Sequence, residues 1–369
     1  MVGPSPRAII TRDRTIEALQ AIENAWDEGL LKPHERWAGY FGYDLGRAFE
    51  VMPDRAIDDM GLPIIAMAPA SGAEALTPAL SHEDMGEGVG MAIPSTFTRA
   101  AYLDAVRRCI EYIAAGDIFQ VNLSQRFTVP LTRSPRRIFA ALQDRFPARY
   151  PAYLDFGEFQ ALSNSPELFL KVDRLPDGRR RIVNRPIKGT RPRLPRMEME
   201  LERSEKDKAE LAMIVDLQRN DLGRICQIGS VRVTEPRVIE AHPTVYHGVA
   251  TVEGILRDGV TLTDILRATF PCGSITGCPK IRSMEIIEEL EPVRRGVYCG
   301  AIGWMAADGT MELSVAIRTM TIQHDRIHIP VGGGIVADSV PELEYDETLV
   351  KARAMFAAAG VELAADEFR

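Results

Sequence analysis

The chain has 369 residues, of which 46% are apolar and 26% charged, the usual balance of a globular protein. Its net charge is −8 and its basic residues are interspersed with acidic ones, so nucleic acid is not expected as the main partner. The sequence contains no run of about 18 apolar residues, so it predicts no membrane span. The N-terminus lacks a signal-peptide pattern. We therefore expect a cytoplasmic protein without a membrane partner.

Five cysteines form an odd and sparse set. Cys272 and Cys278 are too far apart for the CxxC pattern of a zinc site, and no histidine partner is close in the sequence. We expect all five to be reduced thiols of a cytosolic protein.

Hydrophobic periodicity and turn residues divide the first half of the chain into predicted elements. In chain order, these are a helix over 12–29, a strand-and-turn stretch over 37–50, a loop or linker over 61–95, a helix over 98–115, a strand over 117–131 and several strands over 152–190. A turn at 176–178 should form the tip of one hairpin.

The second half is predicted to contain three helices and two strand pairs. In chain order, these are a helix over 205–219 capped by Ser204, a helix over 279–291, strands over 297–305 and 312–320, strands over 326–331 and 333–337, and a helix over 342–359. Strands joined by short turns favour antiparallel sheets with helices packed outside, an α+β architecture.

Lys188 lies in a predicted strand, beside a glycine that would let another group approach closely. Strand alternation places Lys188 and Thr190 on one face, and Arg185, Ile187 and Arg191 on the other. An unperturbed lysine is protonated at neutral pH, so a nucleophilic role would require desolvation or nearby cations. The neighbouring arginines would supply such cations.

Two groups of charged residues lie on predicted helical faces. Glu210 shares an apolar face with Met213 and Leu217. A carboxylate there needs a partner, which would be either a metal or an oppositely charged residue in a half-buried salt bridge. Glu344, Glu347 and Lys351 share a face of the last helix, where a surface Glu347–Lys351 pair is the plain alternative.

Glu210 and Glu347, from two different helices, would suit Mg²⁺, which binds one or two carboxylates together with substrate oxygens and water.

Two glycine-rich stretches also suggest anion sites formed by backbone N–H groups. Residues 332–336 follow a strand, and residues 273–280 precede a helix without matching a Walker A loop. Glycine triplets are also common in tight turns, so this signal is weak by itself.

Longer motifs follow one another between residues 37 and 356: GYFGYDLGRAFE, GDIFQVNLSQRF, SNSPELFL, RPIKGTRPR, AELAMIVDLQRNDLGRI, PCGSITGCPKIRSMEIIEELEP, IRTM and GGGIVADSVPELEYDETLVKA. Together they resemble the chorismate-utilising enzymes, which include the synthase subunits for anthranilate, aminodeoxychorismate, isochorismate and salicylate. The resemblance implies two packed, mainly antiparallel sheets with helices outside, and Mg²⁺-dependent chemistry on chorismate.

The resemblance also implies roles for individual residues. It makes Glu210 and Glu347 the Mg²⁺ ligands, Glu167 the general acid and Lys188 a lysine that bonds covalently with substrate. The implied substrate-binding residues are Thr190, Arg224, Ser274, Thr276, Arg318, Gly333, Gly334 and Lys351. His247 is implied to be catalytic, although a structural histidine would equally explain it.

Within the family, Lys188 and Gln120 favour the members that aminate chorismate at C4. Members that form anthranilate typically carry alanine at the lysine position, and members that add water usually carry lysine at the glutamine position. The implied reaction uses Glu167 to protonate the leaving hydroxyl while Lys188 adds at C2, after which ammonia attacks C4 and expels the lysine. The expected activity is that of aminodeoxychorismate synthase component I, in 4-aminobenzoate and folate biosynthesis. Anthranilate synthase component I is the alternative.

The resemblance further implies a domain organisation and a partner. We expect an N-terminal region over 1–97 that is shorter than in related proteins and lacks their tryptophan pocket, followed by a chorismate-binding catalytic domain over 98–369. A separate glutaminase subunit is the expected source of ammonia, since no cysteine lies in a glutaminase nucleophile motif. A truncated, non-catalytic binding partner is the alternative of another class.

Overall fold

The strands and helices follow the hydrophobic pattern of the sequence. A computed structural model describes residues 8–10, 15–27, 36–69 and 93–361. Within these ranges the helices are α1 Thr15–Asp27, α2 Gly46–Phe49, α3 Arg99–Ala114, α4 Pro135–Arg145, α5 Met197–Arg203, α6 Glu205–Gly223, α7 Leu262–Thr269, α8 Lys280–Leu290 and α9 Pro341–Ala359. Each of these helices is too short or too polar to span a bilayer.

The strands of the same ranges form two sheets. Within each sheet, every pair of neighbouring strands is antiparallel. The strands are β1 Ala8–Ile10, β2 Arg36–Phe41, β3 Ile65–Pro69, β4 Gln120–Pro130, β5 Tyr150–Asp155, β6 Phe159–Ser165, β7 Leu168–Arg174, β8 Arg180–Arg185, β9 Ile187–Pro192, β10 Arg232–Ala241, β11 Val245–Ile255, β12 Gly277–Cys278, β13 Ala301–Ala306, β14 Met311–Val315, β15 Thr319–Gln323 and β16 Arg326–Ile335.

The larger sheet has the order β1-β3-β2-β13-β14-β7-β8-β11-β10, with β9 paired to β11, and the smaller sheet has the order β12-β4-β16-β15-β6-β5. An apolar cluster that includes Tyr40 and Ala66 of the larger sheet and Leu154 and Phe159 of the smaller sheet joins the two. Helices α6 and α7 cover the larger sheet, while α4 and α9 cover the smaller one. The expected α+β fold of two antiparallel sheets with outer helices is thereby confirmed.

Strands from the N-terminal part of the chain are built into the larger sheet. Strand β2 pairs with β13 along six residues, from Arg36 opposite Ala306 to Phe41 opposite Ala301. Strand β3 lies on the other edge of β2 and contributes the buried residues Ile65 and Met67. The boundary at residue 97 stays a prediction, and the segment before it shares its sheet with the segment after it.

Three predicted boundaries were wrong. The predicted loop over 61–95 contains β3, whose short apolar run was hidden among Ala and Pro; residues 70–92 lie outside the described ranges. The predicted strand over 312–320 is interrupted, because Arg318 has a positive φ of 51° that ends the path from β14 into β15.

The predicted hairpin over 326–337 is the continuous strand β16, which pairs with β4 from Arg326 to Ile335. Its glycines permit close packing of the two strands instead of a turn. A Cβ atom on Gly332 would lie 2.5 Å from the carbonyl oxygen of Leu123. The absence of a side chain at Gly332 therefore avoids a clash with the backbone of β4.

A buried ion pair between Glu291 and Arg295 fastens the end of α8 to β4. The Arg295 Nη2 atom lies 2.7 Å from Glu291 Oε1 and donates to the carbonyl oxygen of Asn122, also at 2.7 Å. Arg295 Nη1 donates to the carbonyl oxygen of Ile275, while Glu291 Oε1 accepts from the backbone and the hydroxyl of Ser124. These contacts satisfy both charges inside the protein.

We predict that Glu291→Ala lowers the free energy of unfolding by about 3–5 kcal/mol, because it leaves the Arg295 charge buried without its partner. Urea denaturation monitored by circular dichroism would measure this loss. Asp216→Ala is the control, since Asp216 and Arg219 form an exposed pair on α6, and its effect should stay below about 1 kcal/mol. Equal losses in the two variants would contradict the proposed importance of the buried pair.

Candidate functional site

Lys188 lies on β9, where the strand passes beneath α5 and α6. The neighbouring Gly189 has a positive φ of 80°, and a Cβ atom there would lie 2.6 Å from Leu201 Cδ1 and 2.8 Å from Asp207 Cγ. The groups that approach this glycine are thus side chains of the two helices. The glycine serves to seat the helices on the strand that carries Lys188.

The Lys188 ammonium is largely removed from solvent, with 13% of its side chain exposed, and Nζ lies 3.9 Å from Glu210 Oε2. Burial lowers the pKa of Lys188, and the nearby Lys351 lowers it further. Glu210, Glu167 and Glu347 act in the opposite direction, because their negative charges favour the ammonium. The amine therefore lies among carboxylates in a pocket whose net effect is to lower its pKa.

The arginines beside Lys188 in sequence do not supply the expected cationic surroundings. Arg185 donates to Glu240 at 2.6 Å, and Arg191 donates to Glu200 at 2.8 Å. Their charges are balanced by these carboxylates. Lys351, from α9, is instead the cation that faces Lys188.

Glu167 follows β6 and is almost fully buried, with 3% of the residue exposed. Burial raises its pKa to about 7, while a hydrogen bond from Ser274, the charge of Lys188 and the backbone N–H of Ile187 partly oppose the shift. A carboxyl group with this pKa is substantially protonated at neutral pH. It can therefore donate a proton in a site from which water is largely excluded.

The loop between α7 and α8 presents Ser274 to Glu167. Asn122 of β4 holds this loop from one side, because its Nδ2 donates to the Ser274 carbonyl oxygen at 2.9 Å and its backbone N–H donates to the Thr276 carbonyl oxygen at 2.8 Å. The Thr276 hydroxyl is turned back into the loop, where it donates to the carbonyl oxygen of Cys272 at 3.1 Å. Ser274 thus faces Glu167, whereas Thr276 supports the loop.

The glycines of β16 form the floor beneath the charged side chains of α9. A Cβ atom on Gly333 would lie 3.4 Å from Glu344 Oε2, 3.6 Å from Glu347 Oε1 and 3.7 Å from Lys351 Nζ. Gly334 faces the other way, toward Gln120 and Asn122. The two glycines therefore contribute to opposite faces of the same strand.

Lys351 connects the floor to the helix. Its Nζ lies 2.6 Å from Glu347 Oε1 and donates to the carbonyl oxygen of Gly332 at 2.9 Å. Burial raises the pKa of Glu347, but Lys351, Lys188 and Lys206 together outweigh this effect, so the net pKa is lowered and the carboxylate stays ionised. Glu344, which accepts from the Ser339 hydroxyl at 2.6 Å, has a raised pKa because it is buried.

Glu210 and Glu347 fit the expected Mg²⁺ site in their chemistry. Both offer carboxylate oxygens, they come from different helices, and both act on the pKa of Lys188. Within the described ranges, no three His, Cys, Asp or Glu side chains already converge on one point in the manner of a closed metal site. Mg²⁺ keeps several water or substrate ligands, so two carboxylates meet its needs. Its binding stays a prediction.

Arg318 and His247 form another side of the candidate site. The Thr190 hydroxyl and the His247 Nδ1 atom lie 2.9 Å apart, across the register pair that joins β9 and β11. Burial lowers the pKa of Arg318, while Tyr298 and Glu347 raise it. Arg318 also helps to lower the pKa of His247, which places its positive charge close to both the histidine and the glutamate.

The structure does not bring Arg224 to this cluster. Arg224 is exposed and caps the C-terminal end of α6, whereas Glu210 lies in the N-terminal half of the same helix. The rise of an α-helix separates the two backbones by about 20 Å. The predicted substrate contact of Arg224 stays a prediction, and the structure places this residue at the C-terminal end of α6.

Several neighbours of the site were missed by sequence reasoning. Lys206 lies 4.0 Å from Glu210 on the next turn of α6, and its i, i+4 spacing was a usable signal. Tyr298 approaches Arg318, which is 20 positions away in the sequence, so no local pattern indicates that contact. Cys272 lies 3.2 Å from the hydroxyl of Ser274, two residues further along the same loop.

Taken together, Lys188 acts on the buried Glu167 carboxyl group and Lys351 acts on Lys188, an arrangement that suits a small anionic ligand and proton transfer. The chain belongs to the family of chorismate binding enzymes, whose family model matches residues 66–357. It is 44% identical to anthranilate synthase component 1 of Thermus thermophilus, over 87% of this chain and 76% of that protein. It is 39% identical to aminodeoxychorismate synthase component 1 of Escherichia coli, over 95% of this chain and 84% of that protein.

Some relatives are considerably longer than the matched part. Anthranilate synthase component 1 of Pseudomonas aeruginosa is 45% identical over 74% of this chain, but the match spans only 56% of that protein. Among solved structures, anthranilate synthase component I of Streptococcus pneumoniae superposes with a TM-score of 0.77 and 31% identity, covering 88% of this chain and 81% of the other. The menaquinone-specific isochorismate synthase of Escherichia coli, with a TM-score of 0.72 and 17% identity, shares the fold.

We predict that His247 stays neutral in the folded protein at about pH 5, where a free histidine is protonated. Burial lowers its pKa to about 3, and His242 and Arg318 add to the effect. A ¹⁵N NMR titration of the imidazole nitrogens, with the signal assigned through His247→Gln, would test this. Protonation of His247 near pH 6.5 would contradict the buried geometry.

Proposed function

We propose that this chain converts chorismate and ammonia into 4-amino-4-deoxychorismate, the activity of an aminodeoxychorismate synthase component I. The observation that carries the proposal is the pair formed by Lys188 and Glu167 in one buried site. The pKa of the amine is lowered and the pKa of the carboxyl group is raised to about 7. Each shift moves its group toward the neutral form that nucleophilic addition and proton donation require.

The proposed reaction consists of two allylic displacements. The neutral Lys188 amine bonds to C2 of chorismate, the ring double bonds shift, and the C4–O bond breaks as Glu167 protonates the departing hydroxyl, which leaves as water. Ammonia then bonds to C4, the double bonds shift back, and the C2–N bond to Lys188 breaks. The attacking ammonia loses a proton, which returns to Glu167, and Lys188 leaves as the neutral amine.

The charges of the site support binding of a dianionic substrate. The protein as a whole carries a net charge of −8, so an anion must be held by local cations. Arg318 and Lys351 are the cations that we propose for its carboxylate groups, and Lys351 lies next to the backbone of Gly333. Glu210 and Glu347 would hold Mg²⁺, which would neutralise substrate charge and polarise a carboxylate when bound.

Anthranilate synthase component I is the second candidate, and a specific observation favours it. The relatives with the higher identities, such as the 44% and 45% matches, carry that name. That reaction would not need a covalent lysine, because it joins nitrogen to C2 directly. In this second assignment, Lys188 would act only through its charge.

A separate subunit is the proposed source of ammonia for either reaction. The curated relatives are named as component 1 of their synthases, which supports a second component. Free ammonium salts should replace that subunit in an assay, because the proposed amination site lies on this chain.

We predict that Lys188→Ala reduces formation of 4-amino-4-deoxychorismate by at least about 10³-fold while chorismate still binds. The substitution removes the first displacement and leaves Arg318 and Lys351 in place. Products formed from chorismate, Mg²⁺ and ammonium would be identified by mass spectrometry, and binding would be measured by calorimetry. Lys171→Ala is the control, because Lys171 pairs with Asp173 on the exposed face of β7.

Peptide mass analysis provides an independent test of the same lysine. Native protein quenched with chorismate but without ammonia should carry an adduct on the peptide that contains Lys188. A wild-type rate of 4-amino product in Lys188→Ala would overturn the covalent route. Anthranilate as the main product of the native chain would instead establish the second candidate.

We predict that Glu210→Gln and Glu347→Gln each abolish the heat of Mg²⁺ binding in the presence of chorismate, and abolish turnover. Each substitution removes one of the two proposed anionic ligands. Isothermal titration calorimetry would measure binding, and circular dichroism would confirm the fold. Glu205→Gln, an exposed glutamate of α6, is the control. Undiminished Mg²⁺ binding by both site variants would contradict the assignment.

A further inference from the structure

Four buried side chains form a continuous row of polar contacts that ends at Glu167. Gln218 of α6 donates from Nε2 to the Cys272 sulfur at 3.4 Å, and the Cys272 sulfur lies 3.2 Å from the Ser274 hydroxyl. Ser274 in turn bonds to the Glu167 carboxylate. The exposed fractions are 0% for Gln218, 2% for Cys272, 5% for Ser274 and 3% for Glu167, so solvent cannot replace any of these contacts.

The direction of every hydrogen bond in this row is fixed when Glu167 is ionised. A carboxylate only accepts, so Ser274 must donate its single hydroxyl proton to Glu167. The Ser274 oxygen is then free only to accept, and the Cys272 thiol must donate its single proton to it. The sulfur accepts from Gln218 at the same time. The thiol is therefore the group that orients the serine hydroxyl toward the carboxylate.

We propose that Cys272 is a positioning residue, whose thiol, held by Gln218, directs the Ser274 hydroxyl onto the Glu167 carboxylate. The thiol itself contacts no reacting atom. Burial raises the pKa of Cys272 to about 11, which keeps the thiol protonated and able to donate. The inference rests on the proposed function in so far as Glu167 is the general acid of the reaction.

Besides Ser274, two groups act on Glu167. They are the charged amine of Lys188 on β9 and the backbone N–H of Ile187. Neither contact passes through the loop that carries Cys272. Loss of the thiol should therefore change one of the contributions to the Glu167 environment and leave the other two in place. This separation makes the contribution of Cys272 measurable.

The direction of the Glu167 pKa shift depends on whether the row of polar contacts stabilises the ionised or the protonated carboxyl group. Hydrogen bonds donated to the carboxylate favour ionisation, so Cys272→Ala should raise the pKa of Glu167. One neutral hydrogen bond corresponds to a shift of about half a pH unit. Cys272→Ser restores a donor and should shift the pKa less than Cys272→Ala. Gln218→Met removes the contact that holds the thiol, and should shift it in the same direction by a smaller amount.

The experiment is a ¹³C NMR titration of protein labelled with [5-¹³C]glutamate, with the Glu167 signal assigned by its loss in Glu167→Gln. The native midpoint is expected near 7, and Cys272→Ala should move it upward by about half a unit. Cys278→Ala is the matched control. It changes the second cysteine of the same loop, whose surroundings include Asp216 and Asp221 instead of Glu167. Its midpoint should equal the native one.

Two results would overturn the proposal: an unchanged Glu167 midpoint in Cys272→Ala, or an equal shift in Cys278→Ala. Activity measured at constant free ammonia distinguishes this failure from failure of the proposed function. If Glu167 is the acid, turnover falls as pH rises through its midpoint, and Cys272→Ala moves this fall upward together with the NMR midpoint. A shifted midpoint with an unshifted activity profile would support the positioning role and reject Glu167 as the acid.

Discussion

The Lys188 ammonium is removed from water between the carboxylates of Glu167 and Glu210, and the rest of the site is arranged around that burial. Desolvation disfavours the charged lysine and the charged Glu167 at once, whereas their mutual attraction favours both charges. The balance is moved further by Lys351, whose positive charge comes from a different helix. A site in which desolvation and charge attraction oppose each other can change its protonation when an anionic substrate adds its own charges. Proton transfer and substrate binding are thus coupled by the same small group of residues.

Such a balance requires that the groups cannot move away from one another, and the scaffold provides this rigidity. The Glu291–Arg295 pair joins the end of α8 to the carbonyl oxygens of Asn122 and Ile275. Asn122 holds the loop that presents Ser274, and Lys280 holds the far end of the same loop through Asp221 at 2.6 Å. The loop is consequently held at both ends by contacts within the protein. Preorganised donors of this kind need no rearrangement during a reaction.

The sequence predicted most elements because their patterns are local. The helix that begins after Thr98 and the strand Gln120–Pro130 follow from capping and alternation. The glycines at 332–334 misled the prediction, since close packing against β4 and a turn demand the same residue. The charged site residues were found by their unusual surroundings and by resemblance, but the cation that faces Lys188 was misassigned. Which of several nearby cations faces a buried amine depends on the packing of α9, which no local pattern encodes.

The competition between the two candidate reactions shows why overall identity cannot assign the product. Residues that only build the apolar core of the sheets can raise the identity to either group of relatives without touching substrate. The two reactions differ in whether nitrogen ends on C2 or on C4, which is decided at the atom that bonds to C2 first. In the proposed route, an amine from the protein at that atom blocks C2 to ammonia and leaves C4 as the reacting carbon. If that route holds, a single side chain, Lys188, bears more directly on the product than a difference of a few per cent spread over the scaffold.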